Sequence, residues 1–87
     1  MGRLVESPMS NESEQYILLR FGQQVRSLRQ NKAMSQEELA SRAGVHRTYI
    51  GMIERGEKNV TIITMIKLAT ALEVTITELL KDFDHGK

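Results

Sequence analysis

Cysteine and tryptophan are both missing from this 87-residue chain, proline occurs once, and aromatics make up 5% of it. Without cysteine there is neither a disulfide framework nor a thiolate metal site. Two isolated histidines, His46 and His85, cannot supply a ligand set, so no metal and no cofactor is expected. No apolar run approaches the ~20 residues needed to cross a bilayer, and no charged-then-apolar leader opens the chain. The expected location is therefore cytoplasmic, with no membrane partner. Paired carboxylates, a nucleophile and base set and a phosphate-binding glycine loop are lacking too, so an enzyme is not expected. At this length there is room for one small domain with a thin core.

What is present is aliphatic and helical in character. Leu, Ile, Met and Ala supply most of the 40% hydrophobic content, which favours helices over a small sheet. The formal net charge of +1 conceals a strong asymmetry: residues 16–67 carry nine cations against four anions, whereas both flanks are net negative. A central basic block suits a polyanion partner, because neutralising phosphates releases condensed counterions. A solvated charged surface accounts for the same count.

Residues 1–14 include Pro8 and a polar Ser, Asn and Glu stretch without helical period, and read as a flexible lead-in. Met9 is a candidate natural start, with the first eight residues an extension. The ordered domain is expected over residues 15–83, with residues 84–87 a tail. Leu18, Phe21, Val25 and Leu28 form one apolar stripe, predicting a first helix over about 15–31. Ser35 with Glu38 is a capping box that starts a second helix at Gln36, and Gly44 ends it in a left-handed conformation. A third short helix runs from His46 to Arg55, with Ile50 and Ile53 inward, and stops at Gly56. Lys58 to Val60 is a loop. Thr61 can cap a fourth helix carrying Met65, Leu68, Ala69 and Leu72, and Thr75 with Glu78 opens a fifth through Leu79 and Leu80. Val60 to Ile63 is the one competing strand pattern, too short and without a partner. The fold class is all-α, a compact five-helix domain.

Residues 36–55 hold the informative constellation. Two helices crossing through a tight turn need a small residue at closest approach, a glycine in the turn and apolar inner faces, and Ala40, Gly44, Leu39, Ala43, Val45, Ile50 and Ile53 meet those needs. His46, Arg47, Thr48, Gly51 and Met52 are left on the outer side of the third helix. Its positive dipole end, bearing Arg47 and Thr48, suits a DNA major groove.

The segment SQEELASRAGVHRTYIGMIERGEKNVT resembles the helix-turn-helix of the lambda-repressor/Cro (Xre) family of bacterial and phage transcription regulators, and the likeness extends from about Phe21 to Leu80. Arg47-Thr48-Tyr49-Ile50 ahead of Ile53-Glu54-Arg55 is similar, within that family, to the controller proteins of restriction-modification systems. The resemblance implies that Gln36 holds a DNA phosphate, with Ser35 beside it, and that Arg47 and Thr48 read bases, the arginine bidentately to guanine O6 and N7. His46 is either a further base reader or a helix-capping neighbour. Tyr49 either touches a phosphate or packs at the core edge, and Lys58 and Asn59 match backbone-touching loop positions. Arg29 and Glu54 match a structural ion pair between the first and third helices. Two positions depart from the family pattern: Gly51 and Met52 stand where relatives carry longer polar readers, and Val60 replaces a loop proline.

The expected function is a sequence-specific transcription regulator binding double-stranded DNA as a homodimer on a palindrome. The alternatives are an antitoxin, which would also bind a protein toxin, and a helical protein-interaction module. The surplus apolar residues near the end of the chain, Val74, Ile76, Leu80 and Phe83, are the expected dimer interface.

Overall fold

The computed structural model describes residues 11–81, and within them five helices and no strand. They are α1 (Asn11–Asn31), α2 (Gln36–Ala43), α3 (Arg47–Glu54), α4 (Ile62–Leu72) and α5 (Ile76–Leu79). Most of the expected lead-in, the C-terminal tail and Phe83 lie outside the described residues.

Local chemistry accounts for where the helices begin. Ser35, Thr61 and Thr75 are extended N-caps whose side-chain oxygens accept from the amides of Glu38, Thr64 and Glu78, at 3.0, 3.1 and 3.0 Å. The capping box at Ser35 forms in one direction: the Glu38 carboxylate turns forward to accept from Arg42 Nη2 at 2.8 Å rather than back to the serine. α1 starts at Asn11, ahead of the expected 15, with Glu12 and Glu14 in its first turn offsetting the positive end of the helix dipole. Gln15 adds a tertiary tie, its Nε2 donating to the Gly56 carbonyl at 3.3 Å.

Helix ends follow one device. α1 to α4 each stop at a left-handed residue, Ala33, Gly44, Gly56 and Glu73, and the next amide reaches back to close the helix. The closing bonds run from Met34, Val45, Glu57 and Val74 to the carbonyls of Arg29, Ala40, Met52 and Ala69 at 3.1, 3.0, 2.8 and 3.0 Å. Glycine takes this conformation freely at Gly44 and Gly56, while Ala33 and Glu73 adopt it against their Cβ, at φ 57° and 60°.

The core assembles as the stripes predict except at Leu18, which is half-buried and lies outside the core cluster. Val25, Leu39, Ile50, Ile53, Leu68, Leu72 and Leu79 are fully enclosed, and each buried aliphatic side chain contributes ~1.5–3 kcal/mol of transfer free energy. Phe21, Leu28, Met34, Ala40, Ala43, Ala69 and Ala71 complete the cluster, with Met65 half-buried at its edge. α3 packs on both α1 and α2, α2 also meets α4, and α5 closes over α4. Gln24 Nε2 pins α1 to the end of α5 by donating to the Glu78 carbonyl at 2.8 Å.

Gly22 marks a close approach between α1 and α3. A Cβ placed there would lie 2.3 Å from the Ile53 carbonyl oxygen and 2.7 Å from that of Glu54, so α1 rests directly on the α3 backbone. No side chain fits between them.

The expected dimer residues divide. Val74 and Leu80 are half-buried and pack against the protomer's own core, because the left-handed turn at Glu73 folds α5 back over α4. Ile76 stays exposed. Much of the exposed apolar surface instead lies on the outer side of α4, where Ile62, Ile63 and Ile66 are 68%, 62% and 47% exposed, and Tyr16 and Leu19 of α1 are exposed as well. Helical spacing places all three isoleucines on one face.

Candidate DNA interface

α3 presents the site, and a buried polar network fixes its position. Arg29, on α1, donates from Nε to Glu54 Oε2 at 2.7 Å and from Nη2 to Oε1 at 3.1 Å, a bidentate pair buried between the helices. Its third nitrogen, Nη1, donates to the Met34 carbonyl at 2.7 Å. Gln36 Nε2, from the start of α2, donates to Glu54 Oε1 at 3.0 Å. One carboxylate thus ties α1 and α2 to the end of α3, and every charge it brings inside has a hydrogen-bonded partner. The expected Arg29–Glu54 pair is present, and the amide of Gln36 joins it.

The entry end of α3 is open to solvent. His46 is its N-cap: the imidazole Nδ1 accepts from the Thr48 amide at 3.1 Å. An accepting Nδ1 carries no proton, so the ring hydrogen sits on Nε2 and can only donate. Arg47 and Thr48 follow in the first turn, both exposed. Ser35 Oγ already accepts from the Glu38 amide, which leaves its hydroxyl hydrogen to donate outward. Tyr49 is half-buried against the core, and Lys58 Nζ lies over its ring at 5.9 Å from the centroid, a cation–π contact that braces the loop after α3. Asn59 is exposed and borders a depression with Glu14, Ile17 and Leu18 on the α1 side.

The structure therefore brings Ser35, Gln36, His46, Arg47 and Thr48 to the starts of two adjoining helices, and leaves Asn59 exposed at the rim of a depression beside α1. It also adds a residue that pattern reading passed over. Arg55 donates from Nε and Nη2 to Glu57 Oε2 and Oε1 at 3.0 and 3.1 Å. The hydrogen bonds from Arg55 hold the Glu57 carboxyl below the usual carboxylate range, and those to Glu57 raise the guanidinium further. Gly22 was missed as well, although a glycine inside a helical stripe, disfavoured by ~1 kcal/mol against alanine, is itself a sign of close packing. Among the described residues no cluster of His, Cys, Asp or Glu is arranged to hold a metal ion, and no helix is long and apolar enough to cross a membrane.

Two crossed helices, the second with a solvent-facing cationic first turn, on an all-helical core define a helix-turn-helix DNA-binding protein. Residues 25–79 match the helix-turn-helix family, and the chain belongs to that family of transcription regulators. It is 52% identical over 60 residues to the control protein C.SmaI of Serratia marcescens, spanning 69% of this chain and 71% of that protein. Its structure is similar to that of the restriction-modification controller protein C.AhdI from Aeromonas hydrophila, with a TM-score of 0.70 at 48% identity over 71% of this chain and 94% of the other. The biofilm master regulator SinR, crystallised in complex with DNA, is similar at a TM-score of 0.67 and 35% identity, over 70% and 98% of the two chains.

Proposed function

We propose that the protein acts in the cytoplasm as a homodimer that reads a palindromic operator and controls the genes of a restriction-modification system. The observation that carries this reading is the exposed first turn of α3, where Arg47 and Thr48 project beside the His46 cap from a helix braced on two sides. Arg47 supplies the planar pair of donors that matches guanine O6 and N7. Thr48 and the Nε2 hydrogen of His46 extend the readout, and Ser35, Gln36, Tyr49, Lys58 and Asn59 are the backbone candidates. Gln36 keeps a second Nε2 hydrogen after serving Glu54, so holding a phosphate does not require it to abandon the network.

So few readers in each half-site call for a second copy. The isoleucine patch on α4, with Ile76 from α5, is the apolar surface that a two-fold partner would cover. That pairing would set two α3 helices about one DNA turn, ~34 Å, apart, on half-sites centred ~10 base pairs from each other. The likeness to C.SmaI and C.AhdI supports the controller role.

Selection of bound duplexes from a random pool, followed by titration of wild type and Arg47→Ala, tests the reading. A palindrome should emerge, and Arg47→Ala should lose ~1–3 kcal/mol per half-site on it while relaxing the preference at one base pair. Equal losses on selected and random DNA would remove Arg47 from base readout.

A further inference from the structure

Arg55 ends α3 on the stripe that carries Thr48 and Gly51, three and then four residues apart and so on one helical face. It lies two turns, ~10 Å, beyond Thr48 along the axis. Gly51 has no side chain on that face, yet it is buried. A Cβ at Gly51 would meet Arg55 Nη1 at 3.2 Å and Gln36 Oε1 at 3.8 Å, so the guanidinium has swung across the glycine towards the start of α2. The missing side chain at Gly51 is replaced there by the reach of Arg55. Yet Nε and Nη2 are already engaged by both oxygens of Glu57, the same two-point grip that a phosphate would use. Both side chains are exposed, 59% and 49%, so the pair is held by geometry and charge rather than by enclosure.

We infer that Arg55 is a DNA-phosphate contact which Glu57 holds in check, so that docking exchanges a carboxylate partner for a phosphate. The inference rests on the DNA-binding reading and deepens it. A phosphate is the target rather than a base edge, because the first turn of α3 is the end that enters the groove. Arg55 sits at the opposite end beside Gln36, where the sugar-phosphate backbone passes a docked helix-turn-helix. Glu57 acts as a tether: it keeps the guanidinium folded over Gly51, and it lowers affinity for any duplex by the strength of a pair that must be broken. Exposed ion pairs of this kind are weak, so the exchange is readily reversible.

The experiment is a double-mutant cycle on DNA affinity, measured by fluorescence anisotropy over a range of salt concentrations on selected and random duplexes. The proteins are the full chain as wild type, Arg55→Gln, Glu57→Gln and the double variant, with Glu38→Gln as a control that removes the same charge from another exposed pair. Arg55→Gln should weaken binding to both duplexes and flatten the plot of log affinity against log salt by ~0.9 per half-site. Glu57→Gln should strengthen binding about two- to fivefold per half-site. In the Arg55→Gln background that gain should shrink to the level seen with Glu38→Gln. Melting temperatures close to wild type would show that each variant is folded. The inference is overturned if Glu57→Gln gains as much without Arg55 as with it, since its charge would then act at long range. It is equally overturned if Arg55→Gln leaves affinity and salt slope unchanged, or if its loss is confined to one base pair, which would make Arg55 a base reader. A wild type that binds no duplex from the random pool would overturn the DNA-binding reading itself, and this inference with it.

Discussion

Replacing Gly22 by alanine sets two well-defined effects against each other. In an isolated helix the change is favourable by ~1 kcal/mol, since alanine is the better helix former and restricts the unfolded chain. In this protein the new methyl would sit 2.3 Å from the Ile53 carbonyl oxygen, 2.7 Å from that of Glu54 and 2.9 Å from the Glu54 carbonyl carbon. All three atoms are backbone, and the Ile53 carbonyl already accepts the Gly56 amide at 3.0 Å in the closing turn of α3. No rotamer can relieve the contact. α1 and α3 must separate by about 1 Å to reach ordinary van der Waals distance, and overpacking of this kind costs ~1–3 kcal/mol, occasionally more. The clash outweighs the helical gain, for a net destabilisation of ~1–2 kcal/mol and a melting temperature lower by ~4–8 °C for each kcal/mol. The same separation stretches the 2.7 Å bond from Arg29 to Glu54 and displaces α3 relative to α2. Operator affinity measured well below the melting point should therefore fall more than binding to random DNA. Gly51→Ala is the control for stability, because its methyl meets the side-chain ends of Arg55 at 3.2 Å and Gln36 at 3.8 Å rather than backbone, and it should keep most of the ~1 kcal/mol helical gain. Thermal melts and anisotropy titrations on both variants decide the matter. A Gly22→Ala protein as stable as wild type, with undiminished operator binding, would refute the argument that this close approach positions α3.

Arg29→Ala and Glu54→Ala should each cost ~3–5 kcal/mol by leaving a buried charge without its partner, and the double variant should recover part of the loss; strictly additive melts would show the two groups to be uncoupled. Glu73→Gly should stabilise by ~1 kcal/mol by relieving a left-handed residue at φ 60°, while Glu73→Ala, which keeps the Cβ, should gain nothing; equal melting temperatures for the two would deny the strain. Ile63→Asp, on the exposed side of α4, should shift sedimentation towards monomer without lowering helical content, and an unchanged dimer would move the interface elsewhere.

How far the sequence reaches depends on the range of the interaction. Ser35, Thr61 and Thr75 cap helices because a hydroxyl reaching an amide three residues on is a local event, legible in four letters. Gly44 and Gly56 stop helices for an equally local reason, and the period of Phe21, Val25 and Leu28 suffices to name one face of the core. The start of α1 was less legible, since Asn11 to Glu14 lack an apolar period and depend in part on Gln15 finding the distant Gly56 carbonyl. The resemblance of residues 35–61 pointed to the Arg29–Glu54 pair and to Arg47 and Thr48, but nothing in the spacing signals that Gln36 shares the same carboxylate.

An all-helical chain, the caps that start α2, α4 and α5, the turn that links α2 to α3, and a cationic first turn on α3 all follow from the order of residues. Those features arise from interactions spanning one to four residues, where the order of residues is also their order in space. Packing between helices sets what α1 rests on, which apolar residues stay outside, and what holds the arginines. Gly22 matters only because α3 arrives against it, and Val74 and Leu80 turn inward only because α5 folds back over α4. Arg55 reaches across Gly51 because that glycine faces the start of α2. Each of these depends on groups brought together by packing rather than by sequence separation, and a linear pattern carries no distance between them.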